Sequence, residues 1–204
     1  ANINITAEMM NLPGGLTLES MIRPKKFIKI NKRFNRLTGY DLRQFNHSLP
    51  MQVTNMMAEV VLSKDRLKSL DESLFQFAKD EKKILLGIET FEEQLAIMAK
   101  IPVENQLKSL LKTFKSFKQF RRQVLKMAEL YEKADIQQLY KSSKKSIGSE
   151  RKLLLYDRNK IMADRIAIMA SEQTIVCAIG AAHLSGKKGV LRYLKKKGLK
   201  VKSI

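Results

Sequence analysis

The sequence predicts a mixed α/β (α+β) fold that is rich in helices and has a small central sheet. Apolar residues recur at helical spacing over most of the 204 residues, which is typical of amphipathic helices. Three apolar runs, near 83–89, 174–180 and 199–204, are too short for helices of their own and have the length of buried strands. Helices packed on such strands form the layers of an α/β domain.

The first part of the chain is predicted to be helical up to about residue 80. Gly39 ends a basic amphipathic run, Asp41 has the position of an N-cap, and Pro50 opens a run rich in methionine and valine. In chain order, the predicted helices cover 16–22, 25–36, 51–62 and a segment that begins at Asp71.

The first predicted strand, 83–89, is followed by Thr90 and Glu93, which have the spacing of a capping box. A helix is therefore expected to start directly after this strand. From 102 to about 134 one long amphipathic helix is predicted, with leucines and phenylalanines on one side and lysines and arginines on the other. Two further helices are predicted over 136–144 and 150–170.

The second predicted strand, 174–180, ends in small residues and leads to His183. Cys177, the only cysteine of the chain, lies inside this run and is predicted to be a buried structural thiol. A helix over 190–194 and a third strand over 199–204 close the chain. Ligands of open α/β folds bind beyond the carboxyl ends of the strands, so His183 is the first candidate for a functional residue.

Length and composition limit the class of protein. One domain spanning 1–204 is the expectation for this length, with helical lobes at roughly 16–80 and 102–146. A single cysteine excludes an internal disulfide, and no apolar run has the roughly 20 residues that a membrane-spanning helix needs. The sequence contains no HExxH, paired CxxC, phosphate-loop or GxSxG motif.

The net charge of +19 favours contact with nucleic acid, anionic lipid or acidic polymers. Basic side chains are frequent on one face of 108–126. One interpretation of the chain is therefore a non-catalytic basic helical interaction module that binds anionic surfaces or polymers, with an affinity that falls steeply with salt. A well-solvated basic protein without such a partner is the alternative.

Glu89 and His183 each follow a predicted strand. If the two strands are parallel in one sheet, both side chains emerge at the same edge. A glutamate and a histidine in one cleft can ligate a metal or act as a general base with an electrostatic partner. Structural explanations are also available, since Glu89 favours the positive end of the helix that follows it and His183 can bond to backbone.

Several segments resemble those of the TraB/PrgY/GumN family, also called Tiki-like or GxxH proteins. Gly180–His183 resembles the second GxxH motif of the family, and the predicted helix and strand after it resemble the closing elements of the family. Arg158 and Asn159 are similar to the start of its RN..MA helix, and Gly87–Thr90 is similar to its GLET segment. The resemblance covers roughly residues 12–204.

This resemblance implies a metal-dependent hydrolase of the peptidase type that acts on a peptide or protein substrate. It implies that His183 is a ligand of a divalent metal of unknown identity or of the transition state, and that Glu89 is a ligand carboxylate or lies behind the ligands. Arg158 and Asn159 would complete the catalytic set by positioning the substrate or the loop that carries His183. A related iron-uptake protein binds haem, but haem is disfavoured here because the chain has only two histidines.

The first GxxH motif of the family, with the strand and acidic residue that follow it, is not found in the sequence. We therefore expect a chain that starts downstream of this motif, holds half of the metal site and hydrolyses little on its own. An uncovered sheet edge is expected to favour a homodimer. Many bacterial members are exported, so an extracytoplasmic or membrane-associated parent protein is expected. His47 lies in a polar turn without the Gly-x-x-His context and is not expected to substitute.

Overall fold

The structure is a computed structural model that describes residues 10–62 and 69–202. Within these residues the secondary structure is helical, with no strand and no sheet. An isolated antiparallel bridge joins Asn11 and Ser48. The α-helices are α1 (Leu18–Met21), α2 (Pro24–Thr38), α3 (Pro50–Leu62), α4 (Leu70–Asp80), α5 (Phe91–Ala99), α6 (Val103–Lys115), α7 (Phe117–Glu132), α8 (Ile136–Ile147), α9 (Arg158–Glu172) and α10 (Val190–Lys196).

The predicted α/β fold with a central sheet is therefore wrong. The runs 83–89 and 174–180 are irregular, and so is 199–202, while residues 203 and 204 of the third run lie outside the described residues. A strand needs a neighbouring backbone to complete its hydrogen-bond ladder, and no segment within 10–62 or 69–202 provides one. The sheet edge on which a homodimer was predicted does not exist in these segments, and dimerisation itself stays a prediction.

The apolar alternation that suggested strands has a different outcome. Ile175 and Ile179 pack on a core cluster of helices α9 and α10, and so do Leu199 and Val201. Val176, between the first two, is 99% exposed. Alternate side chains are thus buried on helices without any pairing of the backbone. Because no sheet covers the run 174–180, the burial predicted for its side chains was too high. Cys177, predicted to be a buried structural thiol, is exposed.

Most predicted helices of the first part are confirmed, with their ends set by the expected residues. Gly39 closes α2 in the left-handed region at φ 80°, and the Asp41 side chain accepts a hydrogen bond from the Arg43 backbone N–H. Helix α3 begins at Pro50. The single long helix predicted over 102–134 is two helices, because the chain breaks at Ser116 (φ −121°, ψ 42°) between α6 and α7.

The described residues divide into two compact units, each made of two chain segments. The first unit comprises 10–62 and 91–125, and its boundary with the second falls inside α7. Its apolar core brings together α2, α3 and α6. A buried amide, Gln106, is satisfied inside this core, because it donates to the Ile101 carbonyl (3.0 Å) and accepts from the Met51 N–H (3.3 Å). The predicted lobe boundaries at 16–80 and 102–146 stay a prediction.

The second unit comprises 69–90 and 126–202. Its core lies between α9 and α10 and contains Met162, Ala163 and Val190. Helix α8 packs against the short 3-10 turn Ala181–His183. A π-helical segment, Lys152–Asp157, leads directly into α9. No helix within the described ranges is long and apolar enough to span a bilayer.

Gly186 lies where the chain after the 3-10 turn passes close to α8. Its φ is +92°, and a Cβ atom there would overlap the ring of Tyr140. Gly186→Ala is therefore expected to lower the free energy of unfolding by about 2–4 kcal/mol, through the left-handed backbone and the overpacked ring together. Urea titration of the purified variant measures this loss.

Gly198→Ala is the matched control, because Gly198 has a φ of +89° and no atom lies within 4 Å of the place that a Cβ would take. It is expected to cost only the backbone penalty of about 1–2 kcal/mol. Equal losses for the two variants would show that the contact with Tyr140 is not a constraint on this turn.

Candidate functional site

A buried ion pair joins Glu89 to the start of α9. The Arg158 guanidinium donates through Nε to Oε1 (2.9 Å) and through Nη2 to Oε2 (2.6 Å) of Glu89. The side chains of Glu89 and Arg158 are only 5% and 20% exposed. Two parallel N–H···O bonds fix the plane of the carboxylate as well as its position, so the pair holds the irregular segment around Glu89 on α9.

A second arginine of α9 holds the same segment. Arg165 donates through Nη1 to the backbone carbonyl of Ile88 (2.7 Å). Positions 158 and 165 are two helical turns apart and lie on one face of α9. The segment that was predicted as a strand is therefore positioned by two guanidinium groups and not by a sheet.

Asn159 is the next residue of α9 and is fully buried, with 0% exposure. Its Nδ2 donates to the backbone carbonyl of Lys188 (2.7 Å). Its Oδ1 lies 2.6 Å from Nδ1 of His183. One buried carboxamide thus connects the helix, the turn that follows the 3-10 segment, and the imidazole.

The contacts of Asn159 fix the tautomer of His183. The Lys188 carbonyl can only accept a hydrogen bond, so the NH2 group of Asn159 faces it and the amide oxygen faces the imidazole. Nδ1 of His183 therefore carries the proton and donates to Asn159. The lone pair of a neutral imidazole is then on Nε2, which is the nitrogen left available to a ligand.

The environment of His183 keeps the imidazole neutral. The pKa of His183 is lowered from 6.5 to about 4, first by burial and then by the charge of Arg158, while the charge of Glu89 partly opposes the shift. Both charged groups are close enough to act on His183. The structure therefore brings together all four residues singled out in the sequence, Glu89, Arg158, Asn159 and His183, within the second unit.

Stability should depend on pH through His183. With a folded pKa of about 4 and an unfolded pKa of 6.5, the unfolded state binds more protons between these values, so stability falls as pH falls from 6.5 toward 4. The expected loss is about 1–2 kcal/mol, reduced because the imidazole is only partly buried. The measurement is urea unfolding at pH 7 and pH 4.5 with a chelator present.

Carboxylates titrate in the same pH range. The contribution of His183 is therefore the difference between the stability loss of the unchanged protein and that of His183→Gln. His47→Gln is the control, because His47 is the other histidine of the chain and is exposed. An identical pH dependence in the protein and in His183→Gln would contradict the expected titration.

The residues at this site fit one ligand of a divalent metal and do not make a complete set. Nε2 of His183 has the lone pair, and its Nδ1–H is held by Asn159, which is the arrangement that orients metal-bound histidines. Glu89, in contrast, has both oxygens bonded to Arg158. Within the described part of the chain no group of three or more His, Cys, Asp and Glu side chains could hold an ion.

Several contributors to the site were missed in the sequence. Lys188 acts through its backbone carbonyl, which no side-chain pattern reveals, while its ammonium lies 4.6 Å from the ring centroid of Tyr156. Arg165 could have been found, since it follows Arg158 by seven residues on an amphipathic helix. The π-helical turn before Arg158 has no sequence signal, although such turns are frequent at functional sites.

The glycine-rich stretch 186–189 and the segment around His47 are both turns. The glycine-rich stretch 186–189 forms a turn, in which the Gly189 N–H donates to the Gly186 carbonyl (3.0 Å). His47 is exposed, and its backbone carbonyl accepts the Leu12 N–H (2.6 Å).

Comparison with known proteins adds one match. A model described as the TraB/PrgY/gumN family matches residues 1–203. No curated protein and no solved structure matches the chain.

Proposed function

Because the chain belongs to the TraB/PrgY/gumN family, we propose that it is a hydrolase of the peptidase type whose site is centred on His183. The observation that carries the proposal is the hydrogen bond from His183 to the buried Asn159. It leaves one neutral imidazole nitrogen with a free lone pair, next to a buried ion pair of defined geometry.

The pKa of His183 favours a ligand role over a role as general base. A general base works best with a pKa near the operating pH, whereas burial lowers the pKa of His183 to about 4. An imidazole with so low a pKa removes protons poorly, but it is neutral at pH 7 and binds an electrophile without first losing a proton. In this proposal Nε2 meets a divalent ion or the reacting carbonyl group.

The other three residues hold His183 and its surroundings in place. Asn159 is a positioning residue, because it orients the imidazole and ties it to the Lys188 carbonyl. The pair of Glu89 and Arg158 fixes a negative and a positive charge beside the imidazole. Fixed charges in a site of low polarity act strongly on charge that develops during a reaction.

The proposal includes a divalent ion because the family resemblance implies one. When bound, such an ion polarises a carbonyl group and lowers the pKa of a bound water molecule. His183 would supply one ligand through Nε2, and the remaining positions would be filled by water, substrate or groups outside the described residues. Glu89 would stay with Arg158 behind the ligands.

The substrate class is tested with three panels offered to the full chain, with and without added Zn²⁺, Mn²⁺ or Co²⁺. The panels are quenched-fluorescent peptides, carboxylic esters and phosphate esters. Slow cleavage of peptides, stimulated by at least one of these ions, is the expected result, because the described residues do not make a complete metal site. Cleavage of esters alone, or of nothing in any panel, would overturn the assignment.

A further inference from the structure

A groove with basic walls lies between α2 and α6 in the first unit and contains none of the four residues of the candidate site. Its volume is about 380 Å³, within the range of sites that bind small molecules. Five cationic side chains line it, Lys26, Lys29 and Arg33 from α2, and Lys112 and Lys115 from α6. We refer to this feature as the basic groove.

The positive charge of the basic groove is not neutralised by nearby acids. Helix α2 contains six basic residues and no acidic residue. Within the described part of the chain, none of the four groove lysines forms an ion pair with a carboxylate. Arg33 is held in place by donating to the Phe114 carbonyl (2.6 Å). Like charges on low-polarity walls raise the local concentration of anions.

The floor of the basic groove is apolar. Ile30, Leu111 and Phe114 line it beneath the cations. Phe114 is only 3% exposed, so it offers no ring face on which a nucleic-acid base could stack. Leu111 is partly exposed and packs on the edge of the core. Cations above an aliphatic floor match an amphiphile, whose anionic head and apolar chain are joined, better than a wholly polar polyanion.

We infer that the basic groove binds the headgroup of an anionic phospholipid at a membrane surface. The lysines contact the phosphate, and the first carbons of the acyl chains lie against Leu111. A cluster of basic residues next to apolar side chains is the usual composition of protein surfaces that recognise acidic lipids. This site is separate from the proposed hydrolase site and does not depend on it.

The test compares vesicles of phosphatidylcholine with vesicles that also contain phosphatidylglycerol, using co-sedimentation of the full chain. Binding only to the anionic vesicles is expected. Changing Lys26, Lys29, Lys112 and Lys115 to Gln together is expected to weaken it at least about 30-fold, since each lysine near an anionic surface contributes substantially. All four side chains are exposed, so the variant should fold, and its circular dichroism checks this.

A second variant with the same change in net charge replaces Lys141, Lys145, Lys195 and Lys200 by Gln. These lysines are also exposed but lie in the second unit. Its binding is expected to weaken less than about threefold. Equal losses in the two variants would overturn the proposal in favour of general attraction by the net charge, and so would a protein that does not bind anionic vesicles.

A third arm separates a lipid from a polyanion. Leu111→Ala removes apolar floor without changing charge and is expected to weaken binding to phosphatidylglycerol vesicles about threefold to tenfold. Binding to a mixed-sequence DNA duplex, measured by fluorescence anisotropy, should not respond to this change. A duplex that binds more tightly than the vesicles and depends on the same four lysines would replace the lipid by a polyanion and overturn the proposal.

Discussion

His183→Ala is expected to lower the kcat/KM of peptide hydrolysis by about 10³-fold or more. The reason is that Nε2 of His183 has a lone pair without a hydrogen-bond partner among the described residues, whereas Nδ1 is bonded to Asn159 and both oxygens of Glu89 accept from Arg158. Removing a group that contacts the reacting atoms typically costs a loss of this size. The assay is the initial rate on whichever peptide the panel identifies, at saturating metal.

The control for this variant is His47→Ala, which removes the other, exposed histidine and should leave kcat/KM within about twofold. Both variants are compared by thermal unfolding, so that a rate loss through unfolding is recognised. If folded His183→Ala retained more than about a tenth of the activity, His183 would not contact the reacting atoms and the site would have to be sought elsewhere.

Glu89→Ala is expected to lower the free energy of unfolding by about 3 kcal/mol. The variant leaves the Arg158 guanidinium, which is 20% exposed, without its two charge-assisted hydrogen bonds. An uncompensated buried charge costs about 3–5 kcal/mol, and the lower end applies because Arg158 keeps some contact with water. This is a large part of the roughly 5–15 kcal/mol by which proteins are stable.

Glu129→Ala provides the matched control in urea titrations. Glu129 pairs with Lys133, also in the second unit, but their side chains are 58% and 63% exposed, so the loss should be much smaller than for Glu89→Ala. The double variant Glu89→Ala/Arg158→Ala should lose less than the sum of the single variants, by at least about 1.5 kcal/mol. A loss for Glu89→Ala no larger than for Glu129→Ala would mean that the pair does not hold the segment on α9.

The helices of this protein are largely predictable, because their ends are set by local chemistry. Gly39 and Asp41 act through their own backbone conformation and side chain, and no distant residue is needed to predict their effect. The break at Ser116 was missed because the apolar stripe runs on through both α6 and α7, and periodicity alone does not register a change of direction.

The local sequence, in contrast, can neither predict nor exclude a sheet. A run such as Ile84–Leu86 has strand-like composition whether or not a partner strand is present, and the partner is a matter of tertiary structure. Ile84 is 81% exposed, the reverse of the burial that its apolar neighbours suggested. A high strand propensity means that the side chains pack well on a sheet surface, and it does not by itself make the backbone a strand.

The four residues singled out from the sequence lie together in the structure, but the geometry that brings them together differs from the predicted one. A shared sheet edge was expected to bring Glu89 and His183 together. In the structure the first two residues of α9 do this, since Arg158 bonds one of them and Asn159 the other. The pairing of Glu89 with Arg158 could not be read from a sequence separation of 69 residues, and whether these residues catalyse a reaction stays a prediction.

The interleaving of the two units has a consequence for synthesis of the chain. Glu89 leaves the ribosome 69 residues before Arg158, which is a delay of roughly 3–14 s at about 5–20 residues per second. The residues assigned to the first unit end at 125, so they are all synthesised before Arg158. The nascent segment that carries Ile88 and Glu89, in contrast, must wait for α9, which supplies its partners Arg165 and Arg158, and it is open to aggregation until then.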